Sequence, residues 1–259
     1  MSAILTGVAV TVLYAAAVMG IHRWNVRRLR RRGNFAALLR LDWDALLDGL
    51  LPVADRAAID PSVPATLPDG TPTPLILRTP VDGAHRGRRA LLMSIVAGGA
   101  DGDVAAFARE VGFTGGEAAW LATLALVGAQ PLAALERLEA SRPTSAQEIY
   151  LREHLRLTRT TTALNLETRA FATKRRIGQA LARFGDTPCL YFVRALASSM
   201  VGLNRQAIDD LARAVYFSEQ HSFYVRAVLD TPFIAEARPA LVYQCKLAPA
   251  SRSSVAPPR

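Results

Sequence analysis

The chain has only two cysteines, Cys189 and Cys245. They are too few and too far apart to build a zinc site. Two isolated thiols fit a reducing compartment, although spacing leaves a bridge between them open. Histidine is equally sparse. His22, His85, His154 and His221 are scattered, with no His-x-x-x-His pair, so a helical metal site is not expected. Of thirty-one basic residues only Lys174 and Lys246 are lysines, an arginine bias that points to a GC-rich bacterial genome. The run Gly98-Gly99-Ala100-Asp101-Gly102 lacks the lysine and hydroxyl residue that end a phosphate loop, and it follows no strand. It reads as a turn between helices. Asp42 with Asp44, and Asp209 with Asp210, are carboxylate pairs, but close neighbours on a helix point apart and make no acid/base couple. Ser198 and Ser199 lack a nucleophile elbow. The expectation is therefore no catalytic residue, no metal, no cofactor and no enzyme.

Charge is absent from Ser2 to Ile21. As a helix this run is about 30 Å long, the thickness of a bilayer's hydrocarbon core. No basic residue precedes it, as a cleaved signal peptide would require, and a core helix is seldom uncharged on every face. Residues 2–21 therefore read as a single transmembrane helix. Arg23, Arg27, Arg28, Arg30, Arg31 and Arg32 follow at once. This bias places the N-terminus outside and residues 22–259 in the cytoplasm, on a bacterial inner membrane. The net charge of +9 is largely this collar together with Arg40. Its expected partner is the anionic leaflet, and nucleic acid is not expected because the collar is pinned at the lipid surface.

Residues 22–52 read as a basic juxtamembrane segment running into an amphipathic helix over 34–52, ended by Pro52 and lying on lipid or packing on the following domain. Residues 53–84 hold Pro61, Pro64, Pro68, Pro72, Pro74 and Pro80 and read as an irregular linker, with one short strand at Thr73–Thr79. Residues 85–247 read as a helical domain. Its punctuation predicts capping boxes at Thr114–Glu117 and Ser145–Glu148 and stops at Gly98, Gly112, Gly128, Gly185 and Gly202. Starts are predicted at Pro131, Pro188, Asn204 and Ser222, with a last helix over Pro239–Leu247. Residues 248–259 have the composition of a disordered tail.

Two predicted hairpins superpose by one offset: Ala195, Gly202, Ala207, Leu211 and Ala214 follow Ala122, Ala129, Ala134, Leu138 and Ser141. Small residues at Ala195 and Ala207 let two helices cross closely. With Tyr191 added, Tyr191, Ala195, Gly202, Ala207, Leu211 and Ala214 resemble the tetratricopeptide repeat, best over 188–218 and more weakly over 115–141. The family's usual proline is missing at Glu219. The resemblance implies an all-α solenoid of helical hairpins that binds peptides in its concave groove. A generic helical bundle is the competing architecture.

Residues 149–184 repeat apolar residues at alternating steps of three and four, with Thr160-Thr161-Thr162 as a break between two helices. The polar side is basic, and Arg169, Lys174, Arg175 and Arg176 are the candidate docking residues for an acidic protein segment. The expected function is a membrane-anchored scaffold or adaptor that binds another protein at the cytoplasmic face. The alternative is a structural accessory subunit of a larger membrane complex.

Overall fold

The computed structural model describes residues 37–52, 58–68, 70–100, 102–159, 163–219 and 221–231. Among them the fold is all-α, with eleven α-helices, no strand, and one isolated bridge between Thr66 and Pro72. No helix of the described residues is long and apolar enough to cross a membrane. The expected span at 2–21, its arginine collar, the helix at 239–247 and the tail lie outside them.

The chain divides at Arg40 and Thr160. One compact unit is formed by residues 41–159. The other takes 37–40 together with the described part of 160–231. The second boundary falls inside the stretch expected to be one helical domain.

The 41–159 unit contains α1 (Trp43–Leu47), α2 (Leu75–Arg78), α3 (Arg86–Val96), α4 (Val104–Glu110), α5 (Gly115–Ala129), α6 (Pro131–Ala140) and α7 (Ala146–Thr158). The buried helix α5 packs against α3, α4 and α6, and α7 packs against α6 and α1. The core holds Leu92, Leu121, Leu124, Tyr150, Leu151 and Leu155.

Local chemistry explains most boundaries. Thr114 and Glu117 form the full capping box of α5, the carboxylate accepting from Thr114 N at 2.7 Å. At α7 half the predicted box forms. Ser145 accepts from Glu148 N, but Glu148 reaches one residue further back and accepts from Thr144 N at 2.5 Å. Gly128 does not stop α5, which runs on to Ala129. The turn after α3 passes beside it, but a Cβ on Gly128 would stand 3.7 Å from Gly98 Cα, an ordinary van der Waals contact.

Two expectations are corrected here. The amphipathic helix over 34–52 is not continuous across residues 37–52. Asp42 accepts from Ala45 N, which starts a new five-residue helix, and Gly49, with φ +82°, follows its end before Pro52 is reached. Its leucines pack within the 41–159 unit: Leu46, Leu47, Leu50 and Leu51 are buried. Asp42 N donates to Tyr150 OH at 2.9 Å, and Trp120 Nε1 donates to Leu46 O at 3.1 Å. The strand expected at Thr73–Thr79 is instead the single turn α2. Pro74 supplies a helix-compatible φ of −51° at its start, the Asp44 carboxylate accepts from Ile76 N at 2.8 Å, and Pro80 forces Thr79 out of the helix.

The proline-rich stretch is packed through its described residues. Leu67, Ile76, Leu77 and Thr79 are buried, and Arg89 of α3 holds Asp60 at 2.7 Å. The Ser62 hydroxyl (2.6 Å) and N–H (2.9 Å) donate to the same carboxylate. These bonds, Ser62 first and then Arg89, pull its pKa from 3.8 to about 2. Because the folded value lies below the unfolded one, the contribution is present above about pH 4. It is lost as the pH falls through about 2. The protection of amides in 58–89, taken relative to their intrinsic exchange rates, should therefore fall between those limits in the wild type, and Asp60→Asn should flatten that dependence. Parallel acid loss in both proteins would exclude this contact as the cause.

The second unit contains α8 (Ala163–Phe184), α9 (Pro188–Met200), α10 (Asn204–Phe217) and α11 (Ser222–Leu229). Helix α9 is the core element, packed between α8 and α10 and buried on nearly every side. Gly202, with φ +77°, makes the turn into α10. Asn204 is the first helical residue of α10, and Leu203 occupies the cap position without a side-chain bond. Ala37 and Leu38 are buried, and Arg40 pairs with Asp230 at 3.2 Å.

The residues behind the repeat resemblance divide unevenly. In α9–α10, Tyr191, Ala195, Ala207, Leu211 and Ala214 are all buried. In α5–α6, Ala134 and Leu138 are buried, but Ala129 and Ser141 are exposed, and Ala129 lies in the helix where a turn residue was expected. Glu219 takes φ +55°. Proline is locked near −65° and cannot adopt that conformation, which accounts for its absence there.

Candidate docking surface

Helix α8 buries Leu166, Ala170, Thr173, Ile177 and Ala180 as one stripe. At 3.6 residues per turn, Arg169 and Arg176 lie within about 20° of each other on one flank of that stripe. Arg175 points away from the core, and Lys174 stands on the other flank. The four candidate residues therefore do not share one face. Arg169 and Arg175 are exposed, and Arg176 and Lys174 are half-buried. Arg176 donates to Thr173 Oγ1 at 3.3 Å.

Lys174 enters a polar cluster that spans α8, α9 and α10. Its Nζ donates to the Gln206 amide oxygen and lies 5.8 Å from the Phe171 ring centroid. Arg194 and Asp210 form a two-pronged pair, Nε to Oδ2 at 2.9 Å and Nη2 to Oδ1 at 2.6 Å. Burial pushes the Lys174 pKa below its usual value, with the charge of Asp210 opposing that shift and that of Arg194 adding to it. Among the described residues no carboxylate lies within ion-pair distance of Lys174.

Tyr191 forms the floor. It is 4 % exposed, stacks on Phe217 with rings 8° from parallel, and donates its hydroxyl to Asp186 at 2.5 Å. Arg194 and Arg213 stand 5.1 and 5.6 Å from its ring centroid. Burial first, then the bond to Asp186, raises the phenol pKa. Gln206, Asp210 and Arg213 share one side of α10 because they are four and three residues apart. The cluster can thus present amide, ammonium and guanidinium donors to an acidic group.

The arginine–carboxylate pair was not anticipated, but a signal existed. Arg194 and Asp210 stand equally far from the Gly202 turn, so an antiparallel hairpin sets them opposite one another. Asp209 and Asp210 do point apart, one exposed and one buried.

In the 41–159 unit, two arginines of the supposed basic seam are already engaged. Arg156 binds Glu153 at 2.6 Å and Glu139 at 2.8 Å, and Arg152 lies 3.5 Å from Glu153. Glu153 is fully buried. A buried carboxylate requires such counter-charges, so these arginines serve the fold. The expected break at the three threonines coincides with the end of α7 and the start of α8.

Comparison with models of known protein families, with curated proteins and with solved structures finds no match to this chain.

Proposed function

We propose that this chain is a membrane-anchored scaffold of tetratricopeptide-like hairpins that holds an acidic segment of another protein at the cytoplasmic face. The observation behind the reading is the α8–α9–α10 cluster. Lys174 is partly desolvated yet bonded only to an amide, beside an Arg194 that is already paired and an Arg213 that reaches solvent on α10. A partner carboxylate would supply the missing counter-charge and relieve the cost of burying the ammonium. The uncharged run at 2–21 and the six arginines behind it support the anchor and its orientation.

Crosslinking and pull-down from native membranes test the reading. The double reversal Lys174→Glu and Arg213→Glu should abolish partner recovery, while reversal of Arg169, Arg175 and Arg176 should leave most of it. Undiminished recovery with the first variant would remove the cluster as the docking site. Loss with the second alone would move the site to the outer side of α8.

A second reading, an accessory subunit of a larger complex, is favoured by exposed large apolar side chains of the 41–159 unit, Phe107 at 48 % and Leu132 at 60 %. It predicts that the chain is recovered from mild detergent only with companion subunits.

A further inference from the structure

We propose that the segment held by the α8–α9–α10 cluster is an amphipathic helix, with one acidic residue against Lys174 and its apolar side on Phe171. The inference rests on the docking reading above and names the occupant. At about 100° per residue, Phe171, Gly178 and Ala182 fall within about 20° of one line along α8, turned away from its buried stripe. Phe171 is 49 % exposed, Ala182 is exposed, and nothing lies within 4 Å of a Cβ built on Gly178. The line is about 16 Å long, three helical turns, with a ring standing at its start and a low surface beyond. Lys174 stands about 60° to one side of it. Ring and ammonium are neighbours: Lys174 Nζ lies 5.8 Å from the Phe171 centroid and donates to Gln206 of α10.

Charge and spacing select this occupant. The Gln206 amide oxygen gives Lys174 a bond but no counter-charge, so the group that completes it is an acid. The ring beside it is left open, so the group that covers it is apolar. Residues three or four apart on a helix stand about 5–6 Å from each other, close to the separation of ammonium and ring. An acid on Lys174 therefore carries an apolar residue one turn away onto Phe171. An extended segment would draw its affinity from main-chain bonds to a sheet edge, and the described residues form no strand. A helix satisfies its own backbone and needs only the apolar line and the flanking charge.

Binding of labelled peptides to the full-length protein in detergent, read by fluorescence anisotropy, is the test. The probe is a stapled alanine-rich helix carrying one Glu and one Leu four residues apart, made in both orders. In one order it should bind about tenfold more tightly than helices with Gln for Glu, with Ala for Leu, or with the two residues only two apart. Phe171→Ala should erase the preference for Leu and keep the preference for Glu, Lys174→Gln should do the reverse, and Phe171→Leu should keep both. The ring is exposed and alanine is the better helix former, so Phe171→Ala keeps its fold. A preference for Glu without one for Leu, a Leu preference that survives Phe171→Ala, or equal binding at both spacings would overturn the proposal. Equal binding of the Glu and Gln helices, or no binding up to about 1 mM, would instead overturn the docking reading beneath it.

Discussion

Replacing Phe192 with alanine is expected to destabilise the 163–231 unit by about 4 kcal/mol, the largest effect of any single change considered. The ring is fully buried on α9 and meets Phe223 and Tyr224 edge-on, with centroids 5.1 and 5.7 Å away. It therefore joins the core helix to α11. Truncation removes its own burial, leaves a cavity, and strips both neighbours of a favourable edge contact. Of the three tryptophans, Trp43 and Trp120 lie in the 41–159 unit and Trp24 lies outside the described residues, so intrinsic fluorescence does not report selectively on α9 and α11. Amide exchange of peptides from 188–229 is the proper measurement. Protection lost there by less than about 1 kcal/mol would mean that the α9–α11 contact contributes little.

Asp210→Ala should cost roughly 3 kcal/mol, the low end for breaking a buried ion pair. Asp210 retains 8 % of its side-chain exposure and Arg194 retains 21 %, so the orphaned guanidinium keeps some water. It also keeps the Tyr191 ring. The penalty comes mainly from leaving a desolvated charge without its partner. Replacing both residues together, Arg194→Met with Asp210→Leu, should therefore recover most of the loss. Urea denaturation followed by exchange of α9 and α10 peptides measures both. A single-variant cost near that of a solvent-exposed pair, below about 1 kcal/mol, would show that the pair is effectively in water.

The helical punctuation was legible because its causes are local. Thr114 with Glu117, Pro131, Gly112, Gly185 and Gly202 act within a turn of their own position, and the structure places helix ends at or beside each of them. Gly128 misled. Unlike Gly112, Gly185 and Gly202 it does not take a positive φ, so the helix runs through it. The leucines of 34–52 misled as well. Their spacing suits a long helix, but Asp42 caps a new start and Tyr150 fixes that cap from 108 residues away. The basic residues of α7 and α8 looked alike in sequence. Burial of Glu153 assigns Arg152 and Arg156 to the fold, while Arg169 and Arg175 remain exposed.

Sequence alone determined that the chain is helical, where most helices begin and end, that residues 2–21 carry no charge, and that arginine crowds the segment behind them. Each of these follows from composition or from interactions within a few residues. Only tertiary structure decided that the chain divides at Arg40 and Thr160, that Lys174 stands apart from its neighbouring arginines, and that Arg194 faces Asp210 above Tyr191. The fate of a charged side chain depends on which helix packs beside it and how much water that helix removes. Both are set by contacts between residues far apart in the chain.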